Sequence, residues 1–392
     1  MEQIEFNSPL DVINYLESNN GKLIINIAID AVGHVLAEFD NFMRMRLTGE
    51  IAPDGGHIYM GPNENFVATI SEMYGSSLCS NYLLSPVSLE LVSTIANIRP
   101  DLIADVGISS FKIAPIDGVW MLPSFVDNKY YSYRIPFEKM VEHQRDHYRR
   151  RMESWQSLPM AKAFSIPFDL EEFLSLDERK TALIHIKDHS SAGGAEAVDP
   201  NTYLPALEYL IDTGYKLVFA GREKYPEIFS SLGVINYANS DQASFKNDLI
   251  LFNNADFSIV GPSGVCQFAE MTGMPFVYLN SWRPLAPTFS PFCVMAPALA
   301  KSRTTGKFLS FNEQHTLFNN RGVYFPSEEY EPIKPSCEDI LAATQEAIEL
   351  KENTTEANSD QKKLRAMAPD STNTYSLSRT SAAFLKRYQN LL

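Results

Sequence analysis

The chain has 392 residues, 45% of them hydrophobic and 21% charged, with a formal net charge of −15. Its length exceeds one ordinary hydrophobic core and predicts a globular protein of two domains. The acidic balance argues against a nucleic-acid partner, which wants clustered Lys and Arg, and no apolar run approaches the roughly 20 residues of a membrane span.

The polar, acidic N-terminus lacks the basic and apolar regions of a secretory signal. Pro9 to Glu17 predicts an amphipathic helix and Asn19-Asn20-Gly21 a turn. Leu23 to Ile29 is a continuous apolar run, the mark of a strand buried on both faces. Asp30 to His34 is a small-residue turn, and a helix follows over about Val35 to Met45. Gly56 to Tyr59 reads as a strand, Glu64 to Tyr74 and Leu89 to Ile98 as helices, the latter ended by Arg99-Pro100. Trp120 to Tyr133 is aromatic and strand- or loop-like. Phe137 to Trp155 predicts a charged helix carrying His143, Arg145, His147, Arg149, Arg150 and Arg151. A solvated helix face is the favoured reading of that cluster, with peripheral contact to anionic lipid as its rival. Leu158 to Asp169, rich in proline, reads as the link between halves.

In the second half Ala182 to Ile186 predicts a strand, with His185 inside it, and Lys187 to Pro200 a small-residue loop. Asn201 to Thr213 is a helix ended by Gly214, Tyr215 to Ala220 a strand, Tyr225 to Leu232 a short helix and Val234 to Tyr237 a short strand. A helix over about Asn247 to Asn253 leads into the strand Phe257 to Val260, broken by Gly261-Pro262-Ser263-Gly264. Val265 to Thr272 is helical, with Gly273 as its left-handed stop, and Met274 to Leu279 is the next strand. Ser336 to Leu350 is a helix, Glu352 to Asp370 a polar flexible stretch, and Ser376 to Leu392 a final amphipathic helix. The four cysteines, Cys79, Cys266, Cys293 and Cys337, are far apart and form no CxxC or Cys/His pairing. They read as reduced cytoplasmic thiols and not as metal ligands.

Strands alternating with helices across short connections imply parallel sheets wound by right-handed crossovers. The expected fold is therefore α/β, with two Rossmann-like parallel-sheet domains facing a cleft. They are an N-terminal domain over 1–165 and a C-terminal domain over 178–335. Helices over 336–392 follow, the last crossing back to the first domain. The turn from Gly261 to Gly264 leaves backbone N–H groups free at a helix start, which suits a phosphate; packing alone explains such turns equally often.

The segment HIKD at His185, the run TYLPALEYLIDTGYKLVFAGR ending at Arg222, then INYANS, DLILFNNADFSIVGPSG and GMPFVYLN resemble an uncharacterised family of bacterial glycosyltransferases found with surface-polysaccharide genes. GHVLAEFDNFMRMR, from Gly33, is similar to that family's opening. The likeness covers Ile24 to Arg46 and about Leu183 to Phe311. More distantly the chain resembles GT-B glycosyltransferases and the fucosyltransferases with a histidine–x–arginine strand end. Lys187 stands where the resembled pattern usually has Arg; it keeps the charge and loses the bidentate fork. The loop after it lacks an expected aromatic pair, and Ala220-Gly221-Arg222 replaces a Met-Gly-Asp-like turn.

The resemblance implies a metal-independent glycosyltransferase with no cofactor. Its donor is a GDP-, UDP- or dTDP-sugar, and its acceptor a glycan or small molecule. Such a reaction needs the leaving diphosphate stabilised and, in inverting enzymes, a base for the acceptor's proton. The donor-side candidates are His185, Lys187, Arg222, Ser263, Gly264, Val265 and Glu270. Ser263 is equally well a plain helix cap, Arg222 a surface ion pair, Lys187 with Asp188 a local salt bridge, and Glu270 either a ligand of ribose hydroxyls or a structural acceptor. Trp282 and Arg283 line the donor sugar or pack as core. For the base the sequence offers Asp30, His34 and Glu38, with Asp40 behind them; His34 and Glu38 share a helix face. The rival classes are an epimerase-like sugar-nucleotide-modifying enzyme and a catalytically inactive nucleotide-sugar-binding relative.

Overall fold

The computed structural model describes residues 6–25, 32–60, 69, 79–80, 86–104, 114–116, 119–121, 124–126, 129–131, 165–175, 177–187, 197–286, 288, 290–321, 325–353, 355–368 and 376–392. The chain divides into two compact units, Met1–Ala163 and Phe164–Leu392.

The first unit contains α1 (Pro9–Ser18), β1 (Leu23–Ile25), α2 (Val32–Leu47), β2 (Ile58–Met60), β3 (Cys79–Ser80) and α3 (Pro86–Ile98). Ser8 caps α1 by accepting the Asp11 N–H, and Pro9 supplies a fixed φ at the first helical position. Strands β1, β2 and β3 form a parallel sheet in that order. Val12, Ile13 and Leu16 of α1 and Val92 and Ile95 of α3 bury against Leu23 and Ile58. Two hairpins follow, β4 (Ala114–Ile116) with β5 (Val119–Met121) and β6 (Ser124–Val126) with β7 (Lys129–Tyr131). The helix expected over Glu64–Tyr74 (Thr69 apart) and the basic cluster from His143 to Arg151 lie outside the described residues.

The second unit opens with α4 (Phe168–Leu174) and β8 (Lys180–Ile184). It continues through α5 (Leu204–Asp212), β9 (Tyr215–Phe219), β10 (Ile235–Asn236), α6 (Phe245–Asn254), β11 (Phe257–Val260), α7 (Cys266–Thr272), β12 (Phe276–Leu279) and β13 (Cys293–Ala296). Then come β14 (Leu299–Ser302), α8 (Phe311–Arg321), β15 (Tyr330–Ile333), α9 (Cys337–Asn353), α10 (Ser359–Met367), β16 (Arg379–Thr380) and α11 (Ala382–Arg387). Seven strands form one sheet in the order β10-β9-β8-β11-β12-β13-β16, every neighbouring pair parallel. All residues of β9, β11 and β13 are buried, Lys216 and Ser258 among them, as predominantly apolar strands are when helices cover both faces.

Side chains alternate across the sheet. Ala182 and Ile184, Leu217 and Phe219, Phe257 and Ile259, Val277 and Leu279, and Val294 and Ala296 share one core with Leu207 of α5, Ile340 and Ala343 of α9, and Phe384 and Leu385 of α11. Elsewhere in the unit, α6 and α7 pack on each other, with Phe252 stacked on Phe268 at 5.1 Å between ring centroids. Gly273 ends α7 at φ +65°, the left-handed stop its position predicts.

In the second unit the structure departs from the sequence expectations at the C-terminal end and at His185. Ser376–Leu392 is not one helix: Arg379–Thr380 adds the seventh strand, and helix starts only at Ala382. Arg365 donates to the Ser376 and Ser378 carbonyls, and Ser381 N–H donates to Met295 O at 2.8 Å. These bonds hold an otherwise helix-competent segment extended on the open edge of β13. The stretch expected to be flexible contains α10, whose N-terminus carries a capping box between Asn358 and Gln361. His185 lies one residue beyond β8 and not inside it, although its N–H still donates to Ile259 O at 2.9 Å.

Candidate functional site

The order of the seven-stranded sheet reverses between β8 and β11. Strands β8, β9 and β10 run outward to one side in chain order, and β11, β12, β13 and β16 to the other. In open parallel sheets the crevice beyond the carboxyl ends of the strands at such a reversal receives ligands, because the two flanking loops diverge there. The residues at this place are His185 to Lys187 after β8, Ala220 to Glu223 after β9, and Gly261 to Gly264 after β11.

His185 is fully buried. Its Nδ1 is 3.3 Å from the Ala220 carbonyl oxygen and 3.3 Å from Glu223 Oε2, while its Nε2 is buried without a hydrogen-bond partner among the described residues. Burial lowers its proton affinity, and the Lys187 charge lowers it further; Glu223 and the Ala220 carbonyl oppose this. Burial prevails, so the ring is neutral near pH 7. The tight approach of Gly221 makes room for the imidazole. Gly221 has φ +107°, and a β-carbon there would meet Nδ1 at 2.5 Å.

The turn after β11 is organised by Ser263, whose Oγ accepts the Val265 N–H at 3.0 Å and whose carbonyl accepts the Cys266 N–H at 3.1 Å. The expectation that Val265 offers a free N–H is thus corrected: its donor is used inside the turn. Among the described residues no hydrogen bond occupies the N–H of Ser263 or Gly264. Lys187 is half-buried, and its charge bears on both His185 and the Cys266 thiol. Burial pushes that thiol up to about 12, with Glu270 adding to the shift. Lys187, His185 and the start of α7 therefore share one electrostatic neighbourhood. Glu270 lies half-buried on the last turn of α7, where its charge bears on Cys266 and Cys293.

Other expected residues are placed differently. Arg222 is exposed, and its charge acts on Asp248 of α6. Trp282 is buried core, 4.6 Å from the Phe318 ring and edge-on to Phe325, and Arg283 lies 3.6 Å over the Phe318 ring. Both belong to the packing of α8. Asp40 is fully buried and accepts from Arg44 Nε at 2.8 Å, a structural ion pair that withdraws it from the candidate bases. Asp30 lies outside the described residues. His34 and Glu38 are residues of α2, and their side chains lie outside the described set.

Sequence reasoning missed three features. Burial pushes the Asp248 carboxyl up to about 7 against the pull of the Tyr237 hydroxyl and Arg222, and its Oδ1 has no hydrogen-bond partner. Asn280, just past β12, has φ +61° and donates to the buried Tyr203 hydroxyl at 3.2 Å; an Asn at a strand end is a signal for this backbone. Glu223 faces His185, which no spacing along the chain announces. Among the described residues no group of three or more His, Cys, Asp or Glu is arranged to hold a metal ion, and no helix is long and apolar enough to cross a membrane.

A doubly wound α/β unit with an anion-compatible turn at its strand reversal is the class that fold and site define. No protein-family model and no curated protein matches the sequence. Among solved structures the chain is similar to the dodecameric iron-containing heptosyltransferase TibC of enterotoxigenic E. coli in complex with ADP-D-beta-D-heptose (12% identity, 86% of this chain and 77% of that one, TM-score 0.44). It is similar also to a family 9 glycosyl transferase of Veillonella parvula (13%, 89% and 100%, 0.42) and to the ADP-heptose LPS heptosyltransferase II of E. coli (13%, 84% and 99%, 0.41). At these values none of them assigns an activity, and the α/β class is carried by the chain's own parallel sheet.

Proposed function

We propose that the protein is a metal-independent glycosyltransferase of the GT-B type, moving a sugar from a GDP-, UDP- or dTDP-sugar to a glycan or small-molecule acceptor. The observation that carries this reading is the convergence of Lys187 and the free N–H groups of Ser263 and Gly264 at the reversal between β8 and β11. A cation and two backbone donors beside a strand end suit a diphosphate, whose charge grows as the sugar departs. In the reaction the acceptor hydroxyl oxygen bonds to the anomeric carbon as the bond from that carbon to the phosphate oxygen breaks. The diphosphate leaves with that electron pair, and the hydroxyl proton passes to a base. Asp30, His34 and Glu38 of the N-terminal unit are the base candidates. Glu270 takes the ribose hydroxyls. Free Cys266, Cys293 and Cys337 suit a reducing cytoplasm.

Incubation with a panel of radiolabelled sugar nucleotides tests the reading. Slow release of free sugar from at least one donor is expected, because water replaces a missing acceptor. Formation of an epimer, or no turnover of any donor, would overturn it.

A further inference from the structure

The buried imidazole of His185 reports its own tautomer. Its Nδ1 faces two oxygens, the Ala220 carbonyl and Glu223 Oε2, each at 3.3 Å. A carbonyl oxygen only accepts, and a carboxylate only accepts. Nδ1 must therefore carry the hydrogen, which it donates to the Ala220 carbonyl with the Glu223 carboxylate beside it. In a neutral ring Nε2 is then a bare lone pair, and it is the atom that lies buried without a partner. An unsatisfied acceptor of this kind costs free energy unless a donor reaches it.

The identity of that donor is constrained by the surroundings. A phosphate oxygen is ruled out as the partner, since it too is an acceptor at neutral pH. The polar neighbours on the β9 side are already engaged with Nδ1, and Lys187 is near enough to affect the ring electrostatically. At a strand reversal that receives ligands, a hydroxyl on the ligand itself supplies such a donor. Glu223 and Gly221 serve this arrangement through the ring. Glu223 stands 3.3 Å from Nδ1, favours the ring orientation electrostatically, and accepts the Arg222 N–H at 3.1 Å. Gly221 keeps the space that a side chain would take from the ring.

We infer that Ala220 and Glu223 hold His185 as its Nδ1–H tautomer, so that Nε2 accepts a hydrogen bond from a ribose or sugar hydroxyl of the ligand bound beyond β8 and β11. The hydroxyl half of this statement rests on the proposed nucleotide-sugar site; the tautomer half does not. Glu223 is a positioning residue, and His185 reads the hydroxyl.

Nitrogen-15 NMR of the full chain with labelled histidine tests both halves, the His185 signals being assigned by their loss in His185→Asn. Without ligand, a protonated Nδ1 and a bare Nε2 are expected at neutral pH; a protonated Nε2 or an imidazolium would overturn the inference. Glu223→Gln, whose amide oxygen still accepts, should keep that tautomer. Glu223→Leu should broaden or mix the signals, and an unchanged spectrum in Glu223→Leu would remove Glu223 from the positioning role. UDP, GDP, the matching sugar nucleotides, ribose 5-phosphate and inorganic phosphate are then added in turn. A shift of Nε2 by UDP, GDP or ribose 5-phosphate identifies a ribose hydroxyl, and a shift by a sugar nucleotide alone identifies a sugar hydroxyl. The analogue lacking the identified hydroxyl should bind about tenfold weaker to wild type and no weaker to His185→Asn. A shift by inorganic phosphate, or none by any hydroxyl-bearing probe, would overturn the hydroxyl assignment. A shift by ribose 5-phosphate with no binding of any nucleotide would support it while overturning the nucleotide-sugar reading.

Discussion

Gly221 lies against His185 so closely that a β-carbon on it would stand 2.5 Å from the imidazole Nδ1. Its φ of +107° is also a conformation that side chains rarely adopt. Gly221→Ala therefore meets two penalties at once, and we expect a loss of about 1–3 kcal/mol in urea unfolding from the backbone alone. Displacement of the His185 ring adds to it. A loss below about 0.5 kcal/mol would mean that the ring has room to move.

Asp248 gives the molecule a pH dependence. Burial raises its carboxyl from the usual 3.8 to about 7. Between those values the unfolded chain releases a proton that the fold keeps, so this group's stabilising contribution is whole below 3.8 and fades as pH rises through 7. Asp248→Asn deletes the titration at nearly constant shape. The variant should gain on wild type by about 1.4 kcal/mol per pH unit across that window. Urea midpoints measured over the same range check this, and parallel curves for the two proteins would contradict it.

Gln314 on α8 is fully buried and ties three backbone groups together. Its Oε1 accepts the Ala300 N–H at 3.0 Å, and its Nε2 donates to Trp282 O at 2.6 Å and Ala298 O at 2.8 Å. Gln314→Leu fills the volume and strands all three partners, at a cost of roughly 3 kcal/mol or more. Thermal unfolding measures the loss; a near-neutral variant would show that these groups find other partners.

Asn358 and Gln361 together tie the start of α10 to the seventh strand. Asn358 forms the capping box with Gln361, which also donates from Nε2 to Thr380 O at 2.9 Å. Asn358→Ala should cost about 1 kcal/mol. Hydrogen exchange should then quicken first at Arg379 and Thr380; equal protection in both proteins would detach the cap from the strand.

The second unit was largely legible in its sequence because the strands of its main sheet are mostly apolar and several end at small-residue turns. Phe257–Val260, the break at Gly261 to Gly264 and the stop at Gly273 occur as the pattern predicts. Arg379–Thr380 was not legible, since a strand of two residues is decided by the free edge of β13 and by donors from Arg365, both distant in sequence. For the same reason Asp248 and Glu223 escaped the sequence reading: their chemistry comes from burial and from a facing histidine, which spacing does not encode. The turn at Ser263 and Gly264 was legible because a turn between strand and helix has a local signature. Trp282 and Arg283 had no such signature, and the aromatic cluster on α8 claims them.

The central claim is that a diphosphate binds beyond β8 and β11. Thermal unfolding of the full chain with GDP, UDP, CMP and dTDP tests it most directly, because a ligand at about a hundred times its Kd adds about 2.7 kcal/mol to the folded state. At least one diphosphate should raise the midpoint, and Ser263→Trp, folded with an unliganded midpoint near that of wild type, should show no such rise. A flat response of the wild-type protein to all four nucleotides would contradict the account.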